Sequence, residues 1–505
     1  MKSFRADIFR IFITCWLIFA LHFATDIVRE HYLTMSMVDE FSFRLDKYVG
    51  LHPDIFETPE HGAHHGANPG ASMIAAIPYA LSKPLIDKVV ELTMNFRQQV
   101  EQNQGQYNDH RPARVRFYKK VREKGLDVKF GMVGFVTMVF CMAPLSAVSA
   151  AVMFSTLSKC GLSRGASISL TILYAFGTPV FFRTGYLNQN LMVGIFAFFA
   201  FVLLWNVGGN GKLTIRQRNL FAGLMAGFTL LCDYSGLVVL MIMGGYCIFR
   251  RLDTVSLKKA LKDSLAFIYG ASIPVLLLWF YQWQSFGYPF FPPQYSMPPQ
   301  TYSDAGYIGV RLVSGELLWM LLFDYRFGLF IVSPVLIFGL IAPVMSYFKK
   351  SIIPLRESLF MIAFIAGITL FFSCIEYTRL QWITGIRYIV TAVPFLFLLT
   401  AAVLVRARAI IFYMVTLIAV AQSWCMSMVR PVGVENEESV IVAIKKVFLG
   451  GFQLPWLNTL SKMSGQYFSA SENHNFSPVP LFLLWGIMIY GIWKIRNPWK
   501  KLGEG

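Results

Sequence analysis

Charge is scarce in this chain. Of 505 residues only 14% are charged, with 28 acidic side chains and eight histidines, whereas 55% are hydrophobic and 46 are phenylalanine. So little charge excludes a soluble globular domain and leaves an all-α polytopic membrane protein. A net charge of +17 would suit nucleic acid, but the basic residues fall largely in short clusters between apolar runs. That is the pattern of the positive-inside rule, so nucleic acid is excluded as a partner. Cysteine is sparse too: the seven lie mostly inside apolar runs, with no CxxC or other metal-ligand spacing, and read as small buried apolar residues. There is no glycine-rich phosphate loop, no HExxH, no GxSxG and no sustained internal repeat.

What the chain has is apolar runs of about 17–25 residues. They predict about 12 transmembrane helices, near 9–25, 130–153, 165–183, 188–206, 219–233, 235–250, 264–284, 327–347, 357–375, 388–405, 409–428 and 479–494. The first lacks a small-residue cleavage site before Asp26 and reads as a retained anchor. An even number puts both termini on one side. With the termini cytoplasmic, clusters such as Arg250, Arg251, Lys258 and Lys259, then Lys349 and Lys350, then Lys494, Arg496, Lys500 and Lys501, all fall inside. This parity makes Gly70 to Leu81, short and containing Pro78, a re-entrant or interface-lying helix. It also places the basic stretch 91–129, with Arg97, Arg111, Arg114 and Lys119, outside, where it would meet anionic lipid headgroups or a lipid phosphate.

The acidic residues concentrate just after the first span. Between Arg29 and Ile77 stand Glu30, Asp39, Glu40, Asp46, Asp54, Glu57 and Glu60, with His31, His52, His61, His64 and His65. From Arg29 to Asp46 the pattern suits an amphipathic extracytoplasmic juxtamembrane helix, with Leu33, Met37, Phe41 and Leu45 on one stripe. Asp39 and Asp46 share another face, roughly 10 Å apart. His52-Pro53-Asp54 then breaks the helix, and Glu60 to Gly70 reads as loop. The bland alternative is that these charges only solvate a surface loop. Likewise, the irregular spacing of His61, His64 and His65 suits solvated loop better than a ligand set.

Polar residues recur at the expected outer ends of later spans: Arg183, the Asn188-Gln189-Asn190 run, and Asp233-Tyr234. Each either faces a polar cavity or snorkels to the interface. The loop 285–326 is rich in Tyr, Phe and Pro, and Leu312 to Phe323 returns as a helix. The stretch from Ile375 to Tyr388 sets Glu376, Arg379 and Arg387 at the end of a span, an arginine fork shaped for phosphate oxygens. Residues 429–478 form a mixed polar extracytoplasmic segment with Glu435, Glu437 and Glu438.

The order of these landmarks resembles the GT-C superfamily of membrane glycosyltransferases, in particular its bacterial mannosyltransferase- and arabinosyltransferase-like members. Asn68-Pro69-Gly70 through Pro78-Tyr79 is similar to a KxPG…LLAxPxY segment, and Gly177-Thr178 through Tyr186 to a GTxxxxY motif. Tyr325-Arg326-Phe327-Gly328-Leu329-Phe330 with Ser333-Pro334 is similar to YRGLFxxSPVL, and Gly385-Ile386-Arg387-Tyr388 with Pro394-Phe395-Leu396 to GPRYLxPxxPFL. The chain departs from the pattern at His64-His65-Gly66-Ala67 and at Ile386, where proline is common.

The resemblance implies a catalytic module over 1–405, including the first extracytoplasmic loop 26–129, followed by C-terminal helices over 406–505. It implies a polyprenyl-phosphate-linked sugar donor, a lipid, glycan or protein acceptor, and inversion at the sugar. The base is expected at Asp46, with Asp39 and Asp54 as rivals. Arg387, with Arg379 or Arg326, is expected to hold the donor phosphate, and Tyr325, Tyr388 and Arg183 to bind substrate. A divalent metal between carboxylate and phosphate stays open as a cofactor, with no metal ligands assigned. The expected location is the plasma (inner) membrane, with the active site outside. Two other classes are carried alongside: a transporter or lipid flippase, and a non-catalytic partner in envelope assembly.

Overall fold

The computed structural model describes residues 2–99, 107, 109, 112–209, 212–381, 385–429, 440–467 and 476–494. Arg111, the acidic run at Glu435, Glu437 and Glu438, and the basic residues Arg496, Lys500 and Lys501 lie outside the described residues. The chain is nearly all helical. Helix α1 (Lys2–Leu21) leads into α2 (Arg29–Asp39), and an antiparallel hairpin of β1 (Ile55–Thr58) and β2 (Gly62–His65) precedes α3 (Gly70–Gln99), α4 (Pro112–Glu123) and α5 (Asp127–Thr137). A π-helical turn, Met138–Met142, joins α5 to α6 (Ala143–Lys159). Then come α7 (Arg164–Phe176), α8 (Pro179–Thr184), α9 (Gln189–Trp205), α10 (Ile215–Cys232), α11 (Gly236–Phe249) and α12 (Leu257–Phe286). A long irregular loop leads to α13 (Gly315–Phe323), α14 (Leu329–Val332), α15 (Ala342–Tyr347), α16 (Leu355–Ser373), α17 (Val393–Leu404) and α18 (Ala409–Met428). Helices α19 (Val440–Gly450), α20 (Pro455–Tyr467) and α21 (Val479–Lys494) complete the described chain.

Four helices among the described residues are long and apolar enough to cross a membrane: Asp127–Lys159, Leu257–Phe286, Leu355–Ser373 and Ala409–Met428. The bent pair Val440–Gly450 and Pro455–Met463 makes a fifth if it counts as one span. Shorter apolar helices occupy other expected spans, at Gln189–Trp205, Gly236–Phe249, Pro334–Tyr347, Tyr388–Leu404 and Val479–Lys494. This is the make-up of a membrane protein. The core gathers around α9 and α17, which are apolar on all sides and buried nearly throughout. By contrast α21 buries no residue fully.

Three expectations are corrected. The helix predicted over Arg29 to Asp46 ends at Asp39. Phe41 takes a left-handed backbone (φ 51°) and is 93% exposed, and the Ser36 hydroxyl donates to the carbonyls of Ser42 and Arg44, folding the chain back. Asp46 therefore opens a separate short turn, Asp46–Tyr48, and shares no helix face with Asp39. The second correction concerns Gly70 to Leu81, which is only the first part of a 30-residue helix that runs through both Pro78 and Pro84. Each proline removes one backbone hydrogen bond, but Ala71, Ala75, Tyr79 and Ile86 are fully buried along one side and hold the helix together. Third, the expected loop 60–70 contains β2, paired so that Phe56 opposes His64 and Ile55 opposes His65.

Small residues let α10 and α12 touch. A side chain at Gly223 would lie 1.9 Å from the Phe267 carbonyl oxygen, and one at Gly270 would lie 1.9 Å from that of Leu220. Gly223→Val is predicted to force the pair apart, at a cost of about 1–3 kcal/mol. Thermal unfolding of the purified protein in lipid would show it as a lowered midpoint.

Candidate functional site

The head of α2 carries Arg29 and Glu30, placed where the chain leaves the apolar α1. Arg29 donates Nε–H to Glu30 Oε1 (3.1 Å) and Nη1–H to Asp54 Oδ2 (2.9 Å), so one guanidinium serves two carboxylates. Asp54 sits in the turn ahead of β1, where its backbone N–H donates to His52 Nδ1 (3.1 Å). Burial pushes the Glu30 carboxyl up, but Arg29 and His65 more than offset it and hold it below its ordinary value. Asp54 follows the same pattern: burial raises it, while Arg29, His52 and Arg387 bring it below the ordinary value. Burial in turn pushes His65 down to about 3 and lowers His52, so both imidazoles are neutral near pH 7. The reachable carboxylate is Asp54, 38% exposed against 5% for Glu30.

Arg29, Glu30, His52 and Asp54 border a cavity of about 1830 Å³, larger than an ordinary small-molecule pocket of roughly 300–1,000 Å³. Arg387 and Tyr388 enter it from the segment before α17. The Arg387 guanidinium lies 5.0 Å above the Tyr388 ring, and among the described residues no carboxylate forms an ion pair with it. Its backbone is firmly held. The Arg387 N–H donates to Gln381 Oε1 (2.7 Å), while the buried Arg183 donates to the carbonyls of Ile386 (2.6 Å) and Gly385 (2.5 Å). The far wall is greasy: Leu17 and Leu21 of α1, Phe135 of α5, Trp456 of α20, and Leu481 and Trp485 of α21. Trp485 and Trp456 fix it, their indole N–H groups donating to the carbonyls of Leu17 (2.9 Å) and Leu21 (3.0 Å).

The chain matches no family model, no characterised protein and no solved structure. Function is therefore read from the cavity itself.

Of the expected carboxylates, the structure brings only Asp54 to this cavity. Asp46 is spent on Arg44 (2.9 Å) and on the Ala63 N–H (2.8 Å). Asp39 accepts from the Tyr79 hydroxyl (3.0 Å) and pairs with Lys129 (2.6 Å) and Lys83 (3.3 Å). Among the expected arginines, Arg387 and Arg183 line the cavity, but Arg379 is paired with Glu316 and Glu376, and Arg326 clasps Asp324 (2.9 Å). Tyr388 lines the cavity; Tyr325 does not and is 64% exposed. The histidines do not converge: His64 bonds the His61 carbonyl (2.9 Å), whereas His65 accepts from the Ala67 N–H (3.1 Å). No group of three or more His, Cys, Asp or Glu among the described residues is placed to hold a metal ion. Sequence reasoning gave Arg29 and Glu30 no role, although adjacent opposite charges directly after an apolar span are a signal of a partnered site.

Arg29→Met leaves Glu30 as a buried carboxylate without its cation, and a loss of about 3–5 kcal/mol in stability is expected. The double variant with Glu30→Gln should recover much of it. The pH dependence has one sign. Stability from the lowered carboxyls is present above their ordinary range and lost as the pH falls through their lowered values, and His65, protonated only in the unfolded chain below about 6.5, acts in the same direction. The midpoint of thermal unfolding should therefore fall as the pH drops below about 6.5, and fall further below about 4.

Proposed function

We propose that this chain is an integral-membrane glycosyltransferase of about 12 spans that moves a sugar from a polyprenyl-phosphate carrier to an extracytoplasmic lipid, glycan or protein acceptor. Its membrane is a plasma (inner) membrane, with both termini cytoplasmic. The observation that carries the reading is a single cavity with an apolar wall at Trp456 and Trp485, an arginine, Arg387, without a carboxylate partner among the described residues, and a reachable carboxylate at Asp54. A polyprenyl chain suits the wall, its phosphate suits Arg387 with Arg29 behind it, and the ionised carboxylate supplies a base. The resemblance to GT-C proteins points the same way, now with Asp54 in the role first expected of Asp46.

The chemistry uses the chain's own residues. Arg29 holds Asp54 Oδ2, leaving Oδ1 to take the proton of an acceptor hydroxyl. The acceptor oxygen then bonds to the anomeric carbon from the face opposite the phosphate, and the carbon–oxygen bond to phosphate breaks with its electron pair leaving on the phosphate. Arg387 stabilises that growing charge. Configuration inverts in one displacement.

Asp54→Asn should lower sugar transfer in membranes by about 10²–10⁴-fold at matched expression, with donor binding retained. Arg387→Lys should weaken donor binding and transfer together. Transfer that survives Asp54→Asn but not Glu30→Gln would move the base to Glu30. Lipid movement without sugar transfer would favour a flippase.

A further inference from the structure

A second wall of the cavity is polar without being cationic. Asn68, from the turn before α3, Gln189, at the start of α9, Asp233, at the end of α10, and Gln294, in the long loop, all line it. We infer that this wall is a sugar subsite, made of hydrogen-bond acceptors that take the hydroxyl groups of an uncharged sugar ring. The inference rests on the lipid-phosphate-sugar reading above and adds to it the chemistry of the sugar.

The orientation of each amide follows from its neighbours. Gln189 Nε2 donates to Asp233 Oδ2 (2.9 Å), Asn68 Nδ2 to the Leu230 carbonyl (2.7 Å), and Gln294 Nε2 to the Gly66 carbonyl (3.2 Å). An amide nitrogen must face these acceptors, which decides the flip of all three. Their oxygens, Gln189 Oε1, Asn68 Oδ1 and Gln294 Oε1, are buried and accept no hydrogen bond from the described residues. Buried acceptors are normally satisfied, and three exceptions around one cavity call for donors from elsewhere. Asp233 adds to the pattern. It accepts from the N–H (2.9 Å) and hydroxyl (2.7 Å) of Ser235 and from Gln189, and among the described residues no cation pairs with it.

The acceptors left unmet on this wall, Gln189 Oε1, Asn68 Oδ1 and Gln294 Oε1, favour a ligand that donates. Sugar hydroxyls donate, whereas phosphate and carboxylate do not. A uronic acid would set its carboxylate against Asp233, at a Coulombic cost that a neutral ring avoids. The cavity is therefore polarised, with Arg29 and Arg387 toward the phosphate and the acceptor wall toward the sugar. Tyr377 lines the same cavity and feels the charges of Asp233, Arg29 and Arg387. Its ring lies 5.6 Å from that of Tyr388 and 6.1 Å from that of Tyr302, offering aromatic faces to a sugar between the two poles.

The test is lipid binding by the full-length protein in nanodiscs. The probes are bare undecaprenyl phosphate, its mannosyl, glucosyl and arabinosyl esters, and its glucuronosyl ester. The wild type should bind at least one neutral glycosyl lipid about tenfold more tightly than the bare lipid, and the glucuronosyl lipid no more tightly than the bare lipid. Gln189→Met and, on a different element, Gln294→Met should each remove most of that preference, by about tenfold for a lost hydrogen bond. Affinity for the bare lipid should hold, which also reports that each variant is folded. A wild type that binds the bare lipid and shows no preference for any neutral sugar, or variants that keep the preference, would overturn the sugar subsite alone. A wild type that binds none of these lipids would overturn the lipid-phosphate reading and the subsite with it.

Discussion

The guanidinium of Arg29 is the interaction on which the site depends. It lies where the chain leaves the apolar α1, and it holds Glu30 and Asp54 together on one cation. Without that charge two carboxylates at the edge of an apolar cavity would repel each other and take up protons. With it both stay ionised, and Arg387, lacking a carboxylate of its own among the described residues, keeps its hydrogen-bond donors for an anion. The pairing costs the freedom of both partners to move, which suits a group that has to be in place before a substrate arrives.

Around this pair the fold joins segments far apart in the chain. Arg183 grips the carbonyls of Gly385 and Ile386, two hundred positions on, and so sets the backbone that presents Arg387. The Thr391 hydroxyl donates to the Asn190 carbonyl (3.0 Å), tying the start of α9 to the segment that leads into α17. The Ala24 N–H meets the Gly185 carbonyl (3.0 Å), which fixes the exit of α1 against the end of α8. These are hydrogen bonds made in an apolar setting, where an unmade one is expensive. Arg183 accordingly reads as a positioning residue for Arg387.

How much of this was legible in the sequence differs by kind of residue. The helical, membrane-type architecture follows from apolar runs, whereas the outer-end polar residues Arg183, Gln189 and Asp233 read equally as cavity-facing or snorkelling, and only Arg387 reads as a phosphate ligand. Their convergence could not be read, since no local pattern encodes a contact between residue 183 and residue 386. The choice among carboxylates went to Asp46 because a continuous helical stripe was assumed. The left-handed turn at Phe41 and the recapture of the chain by Ser36 broke that stripe, and neither leaves a periodic trace. Only their partners, Lys129 and Tyr79 for Asp39 and Arg44 and Ala63 for Asp46, show that these two carboxylates brace the loop. The prolines of α3 misled in the opposite direction, because local propensity yields to a buried face.

The most direct test of the central claim is an electron cryomicroscopy structure of the full chain in nanodiscs with undecaprenyl phosphate. The phosphate is expected within hydrogen-bond reach of Arg387, beside Arg29, with the isoprenoid chain along Trp456 and Trp485. A phosphate held instead at Arg379 or Arg326, or an isoprenoid bound away from this cavity, would contradict it.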